Sequence, residues 1–173
     1  MSDISETVRK NNRIEIAQSA VTENVVFDIR GSGATLIIED GARVGGRIFL
    51  SDNAKIVIGA RSIIHQAAFH LHEGSEVQIG ERCLFSRMIS VRPSDAHKIF
   101  DLDSGERINS PKPIIVGDHV WVGEKVDLMK GAQIPSGCVV GSSAYVVSAF
   151  EEENCIIGGN PAKVLRRGVR WDF

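Results

Sequence analysis

Between Val116 and Val146 an aliphatic residue returns at every sixth position: Val116, Val122, Leu128, Ile134, Val140 and Val146. Two residues before each of the last five stands a second apolar or small residue: Val120, Val126, Ala132, Cys138 or Ala144. Each unit therefore closes on an in-out-in trio such as Val120-Trp121-Val122 or Cys138-Val139-Val140, because side chains alternate faces along a strand. A helix does not generate a strict period of six, whereas short strands joined by tight turns in a parallel β-helix do. Three such units make one coil of eighteen residues.

The same pattern runs upstream with looser spacing. The fragments RIEIAQSAV, LIIEDGARV, IVIGARSII, VQIGERCLF and IIVGDHVWV align on Ile16, Ile38, Ile58, Ile79 and Val116, at intervals of 22, 20, 21 and 37 residues. The first three intervals are one coil plus a few turn residues, and the fourth is one coil plus an insertion. About seven coils follow, which at a strand spacing of ~4.8 Å stack to roughly 33 Å. The prediction is a single all-β domain over residues 1–173. Within it lie a polar N-terminal lead (1–11), an inserted loop (93–113) and a basic C-terminal tail (162–173).

Composition narrows the classes. One domain is what 173 residues predict, and 17 glycines suit a chain rich in tight turns. A net charge of −2 gives no general affinity for nucleic acid. No apolar run approaches the length of a membrane span, so no membrane insertion is expected, and the polar start MSDISETVRK does not read as a secretory signal. Cys83 and Cys138 fall in the small inward slot of the repeat and read as core, without metal-ligand or disulfide spacing. Together these features predict a cytoplasmic protein.

The outward slots bear on assembly. Coil by coil, the middle residue of one trio is Arg43, Ile63, Leu84, Trp121 and Val139. Four large apolar residues in line would form an exposed patch on a monomer. Burial between subunits in a cyclic homotrimer accounts for them, and cover by the inserted loop of the same chain is the alternative.

The segments SDAHKIFDLDSGERIN (94–109), IIVGDHVWVG (114–123) and GGNPAKVLRR (158–167), on this repeat, resemble the hexapeptide-repeat acyltransferases. Within that left-handed parallel β-helix family the similarity is greatest to bacterial sugar and capsular polysaccharide O-acetyltransferases. The resemblance implies a left-handed coil, a trimer with active sites between subunits, acetyl-CoA as co-substrate, and a sugar or oligosaccharide acceptor. It also implies that His97, in the S-D-x-H segment, is the general base. That fits the chemistry, since a sugar hydroxyl is a poor nucleophile until its proton leaves and imidazole suits proton removal near neutral pH. Asp95 is a candidate to orient the His97 ring or raise its basicity. Trp121 offers a flat apolar wall with one N–H donor for the acceptor or acetyl pocket.

On the donor side, Ala132, Ser142 and Ser143 are small residues suited to a pantetheine groove. Lys163, Arg166 and Arg167, with Arg170 beyond them, are cations suited to the nucleotide phosphates. The last coil, GSSAYVVSAFEEEN (141–154), departs from the family's pattern, and its Glu151, Glu152 and Glu153 add negative charge there. No cysteine or serine reads as an acyl-carrying nucleophile, so direct attack on the thioester is expected. His119 reads as an exposed turn residue. His65 and His70 have an H-x4-H spacing that, with His72 or His97, raises a metal-dependent hydratase as one alternative. An N-acetyltransferase acting on an amino sugar nucleotide and a non-catalytic β-helix subunit are the others. No metal is expected.

Overall fold

The computed structural model describes residues 11–173, so all but the last residue of the polar lead lies outside the described residues. The chain winds into a prism with three faces, and the coils stack by parallel pairing. The first face holds strands Arg13–Ile16, Thr35–Ile38, Lys55–Ile58, Glu76–Ile79, Ile114–Val116 and Gln133–Ile134. A bridge from Gln133 to Ala149 adds a seventh level there. The column Ile16–Ile38–Ile58–Ile79–Val116–Ile134 is in register throughout, as the sequence alignment predicts. From Ile38 upward each member of this column is buried.

The second and third faces begin as continuous strands, Val21–Ile29, Arg43–Leu50 and Ile63–Leu71. The hexapeptide pattern predicts a break at this corner in every coil, and the lower coils have none. Instead the strand bends in place, and the register shifts between Val44 and Gly46. Gly46 has φ 110°, and a Cβ there would lie 2.0 Å from the Ala67 carbonyl oxygen, so the close stacking of this bend requires glycine. Higher up the corner becomes a tight turn. The second face continues as Leu84–Phe85, Trp121–Val122, Val139–Val140 and Ile156–Gly158, and the third as Ile89–Arg92, Asp127–Met129 and Tyr145–Val146.

The core is the inside of the prism. Val120, Val122, Val126, Leu128, Cys138, Val140, Ala144 and Val146 are all buried, together with Cys83 and Cys155. The three thiols are free. Burial pushes the Cys83 thiol up to about 11, so it is an inert core group. The outward column of the second face reads Val21, Arg43, Ile63, Leu84, Trp121, Val139 and Ile156, which extends the predicted stripe by one apolar residue at each end.

The upper end is closed by the chain's own tail. Strand Lys163–Arg166 returns antiparallel to Ile156–Gly158 after a cis Asn160–Pro161 peptide. Among the described residues no helix is long and apolar enough to cross a membrane.

Candidate active site

The insertion 93–113 leaves the prism at the edge where the third face meets the first, opposite the second face. It opens with a tight turn. The Ser94 hydroxyl accepts from the Ala96 N–H (3.0 Å) and donates to Glu73 Oε2 (2.7 Å). Ala96 takes the left-handed conformation at φ 62°, uncommon for a residue with a side chain. The turn lifts His97 to the outside, where it is exposed.

Asn109 holds the two ends of the loop together. It is 5% exposed. Its amide donates to the His97 carbonyl and to Asp95 Oδ2, both at 2.8 Å. Its oxygen accepts from the Ile99 N–H at 2.7 Å. Asp95 is also ion-paired to Lys130 on the coil above, and Arg107 reaches Glu73 at 2.8 Å. The expectation that Asp95 pairs with the His97 ring is therefore corrected. Its carboxylate is taken by Lys130 and Asn109, and it meets His97 through the backbone, accepting from the His97 N–H at 2.7 Å.

Between His97 and Asn109 the loop forms a short hairpin, with Phe100 bridged to Arg107 and a turn capped by the Asp101 carboxylate on Ser104. Its apolar residues Ile99, Phe100, Leu102 and Ile108 face outward, Leu102 being 98% exposed. The hairpin makes no cover for the apolar stripe, because its anchors lie on the opposite edge.

Two carboxylates of the anchor are held below the usual range. Glu73 is lowered by its hydrogen bonds from Arg107 and Ser94. Asp95 is lowered first by Lys130, against burial, with Asn109 assisting. A carboxylate lowered in the fold stabilises it above the unfolded pKa, and that stabilisation is lost as pH falls through the folded value. The loop is thus expected to stay docked at neutral pH and to release as the medium drops below about pH 4. Limited proteolysis of 93–113 across pH 7 to 3 reads this, and release on raising the pH instead would contradict it.

Beside this turn lies a cleft of ≈ 230 Å³ lined by His70, His72, Arg92, Ser94, Asp95, Ala96 and Met129. Burial, then the charge of Arg92, lowers the pKa of His70. Burial is also the main cause for His72, against the raising effect of Glu73. Both rings are therefore uncharged at neutral pH, and Arg92, which donates to Ser90 at 3.2 Å, is the cation of the cleft. Below it Phe49 lies 4.6 Å from His72, ring to ring, and Arg30 sits over Phe49 at 5.6 Å. The strand Ile63–Leu71 carries His65 on the second face side and His70 on the third, so the H-x4-H spacing does not make a ligand pair. Among the described residues no three His, Cys, Asp or Glu side chains gather as a metal site.

The remaining candidates lie elsewhere. Trp121 points outward from the second face and is 39% exposed, with its N–H 3.5 Å from the Ser86 hydroxyl. One chain does not bring it to His97, since the insertion rises from the edge opposite that face. Ser142 and Ser143 are exposed at the corner following the second face, one level above Gly123–Lys125, with Ser143 at φ 61°. Ala132 is corrected: its side chain is 0% exposed in the small core slot, so it lines no groove. Lys163 and Arg166 are exposed on the closing strand, while Arg167 is paired at 2.7 Å with Glu152 of the acidic turn. His119 is also corrected. It is partly covered, stacked on Trp171 at 4.2 Å and 8°.

Sequence reasoning missed Asn109, Lys130, Glu73 and Trp171. The hairpin had a signal in Asp101-Leu102-Asp103-Ser104-Gly105, a turn-forming run between apolar pairs.

Stacked hexapeptide coils, broken once by a histidine-bearing insertion, define the class: parallel β-helix acyltransferases of the hexapeptide-repeat type. The chain is 32% identical over 165 residues to the polysialic acid O-acetyltransferase of Neisseria meningitidis, an alignment covering 95% of this chain and 77% of the relative. It is 33% identical over 134 residues to the polysialic acid O-acetyltransferase of Escherichia coli O1:K1 / APEC, covering 78% of this chain and 43% of that longer protein. The crystal structure of the polySia-specific acetyltransferase NeuO superposes with a TM-score of 0.88 at 32% identity, over 94% of this chain and 75% of that one. No family model matches the sequence. The chain belongs to the family of these hexapeptide-repeat O-acetyltransferases, and its coil is a left-handed β-helix.

Proposed function

We propose that this protein transfers the acetyl group of acetyl-CoA to a hydroxyl of an anionic sugar polymer, with His97 as general base. The observation that carries the reading is a cleft lined by Ala96, the residue before His97, in which Asp95 is paired to Lys130, Arg92 is the free-facing cation, and the rings of His70 and His72 have lowered pKa values. Such a cleft suits a carboxylate-bearing sugar, and the named acceptor of the relatives, polysialic acid, is of that class. The His97 imidazole takes the proton of the acceptor hydroxyl as its oxygen attacks the thioester carbonyl. The tetrahedral adduct then expels the CoA thiolate, and the imidazolium returns the proton to it. Asp95 acts on His97 by fixing the turn that carries it.

The donor fits the opposite group of residues. Ser142 and Ser143 present small side chains beside Trp121, and Lys163 and Arg166, with no ion pair among the described residues, are available to the phosphates. These residues and His97 meet only if the cleft of one subunit faces the second face of the next. The working unit is accordingly a homotrimer, its apolar stripe and the hairpin's outward residues buried between copies. A cytoplasmic site of action suits the thioester donor and the three free buried thiols. The insertion 93–113 of the single β-helix unit serves as its active-site loop.

The test is thiol release from acetyl-CoA against sialic acid oligomers and neutral oligosaccharides of equal length. Turnover is expected with the acidic series only. In Arg92→Ala, KM for that acceptor should rise about tenfold, with kcat changed far less, as for loss of a charged hydrogen bond. Equal turnover of neutral sugars, unaffected by Arg92→Ala, would overturn the acceptor reading.

A further inference from the structure

We propose that Trp171, in the irregular stretch after the closing strand Lys163–Arg166, is a positioning residue of the reaction centre: it holds the Trp121 indole against the second face. The inference rests on the reading of Trp121 as a wall of the site. Trp121 sits on the two-residue strand Trp121–Val122 and points away from the core. Its polar contact within the coil is the 3.5 Å approach to Ser86. A half-exposed indole so held has several rotamers open to it. Trp171 lies 6.1 Å from it, ring to ring, at 43°, the tilted arrangement favoured by aromatic pairs.

Trp171 itself is clamped. Although near the chain end it is 8% exposed. Its N–H donates to the His119 carbonyl at 2.8 Å, and its carbonyl faces His119 Nε2 at 3.2 Å, which donates as the Nε2–H tautomer. The His119 ring stacks on it, and Phe173 packs beside both rings, 5.1 Å from Trp171 and 6.1 Å from His119. The path to this position is pinned in order: Arg167 to Glu152, then the Val169 N–H to the Asn154 carbonyl at 2.8 Å. Asn154, Gly137 and His119 occupy the same turn in successive coils, each N–H bonded to the coil below. A Cβ on Gly137 would lie 2.2 Å from Asn154 Oδ1, so the turn that carries the tail's anchor stacks closely on a glycine. A segment that is merely a terminal overhang has no need of two reciprocal hydrogen bonds and a stacked ring. Clamped onto His119, which lies two residues before Trp121, this one fixes the neighbouring wall.

The chain has two tryptophans, so Trp171→Phe and Trp171→Ala each leave Trp121 as the sole indole reporter. Time-resolved fluorescence anisotropy of the full-length protein should show a restrained Trp121 in W171F and added fast motion in W171A. In parallel, kcat/KM for acetyl transfer should fall about tenfold in W171A, carried by KM, and recover to within about threefold in W171F. Oligomeric state should be shared by both variants, with W171A melting below W171F through its lost ring packing but remaining folded at the assay temperature. Equal Trp121 motion in the two variants would overturn the proposal, as would freed motion with unchanged kcat/KM. If the unsubstituted protein turns over no acceptor, the proposed function falls instead, and the anisotropy comparison alone then decides whether Trp171 holds Trp121.

Discussion

Replacing His97 with alanine is expected to lower the acetyl-transfer rate by about 10²- to 10⁴-fold, the usual contribution of a positioned general base. The imidazole is exposed, so its removal opens no core cavity. The loop itself is held through the His97 backbone, whose carbonyl and N–H keep their partners Asn109 and Asp95 in the variant. Melting temperature and oligomeric state should therefore stay as they are while turnover collapses. A residual rate should persist, because donor and acceptor are still held together. Steady-state thiol release, with melting curves recorded alongside, measures both effects. A variant with more than a tenth of the original rate would remove His97 from the chemistry.

The second large effect is expected at a residue that touches no substrate. Asn109→Ala removes the amide that joins Asp95, the His97 carbonyl and the Ile99 N–H. Each partner group left unpaired in a partly buried site costs about 1–3 kcal/mol, enough to displace a loop that has no core of its own. The rate should drop about 10- to 100-fold, since small displacements of a reacting group are amplified in the rate. Asn109→Asp should do no better, because a carboxylate there donates nothing to the His97 carbonyl and faces the Asp95 charge. Hydrogen exchange should rise across 94–109 and remain unchanged in the coils. Full activity in both variants would mean that the hairpin is held by other contacts.

The scaffold was legible because the fold is written in a local repeat. One inward position per face, alternating along very short strands, is enough to set the register from Ile16 to Ile134. The same alternation identified the outward stripe through Trp121 without any knowledge of what lies against it. His97 was legible by its segment, being a histidine in the long break of the repeat.

What remained hidden depends on pairs far apart in the chain. Asp95 and Lys130 are 35 residues apart, and His119 and Trp171 are 52 apart. Nothing in the residue types near Asp95 indicates that a lysine on the coil above claims its carboxylate, so Asp95 read as the partner of its near neighbour. Ala132 misled for the opposite reason. Small residues serve both a crowded core corner and a ligand groove, and only the phase of the repeat separates the two. By that phase Ala132 belongs with Cys138 and Ala144 inside the prism. The acidic turn 151–153 read as repulsion toward a phosphate donor, whereas Glu152 has a partner in Arg167.

The measurement that bears most directly on a reaction centre shared between copies is complementation. His97→Ala and Trp121→Ala chains, each expected to be nearly inactive alone, would be co-expressed in equal amounts and isolated as mixed trimers. With His97 supplied by one subunit and Trp121 by its neighbour, each mixed trimer has one site in three with both residues intact, so about a third of the original activity should return. Activity in the mixture no higher than in the separate variants, with trimers verified as mixed, would contradict a site built from two chains.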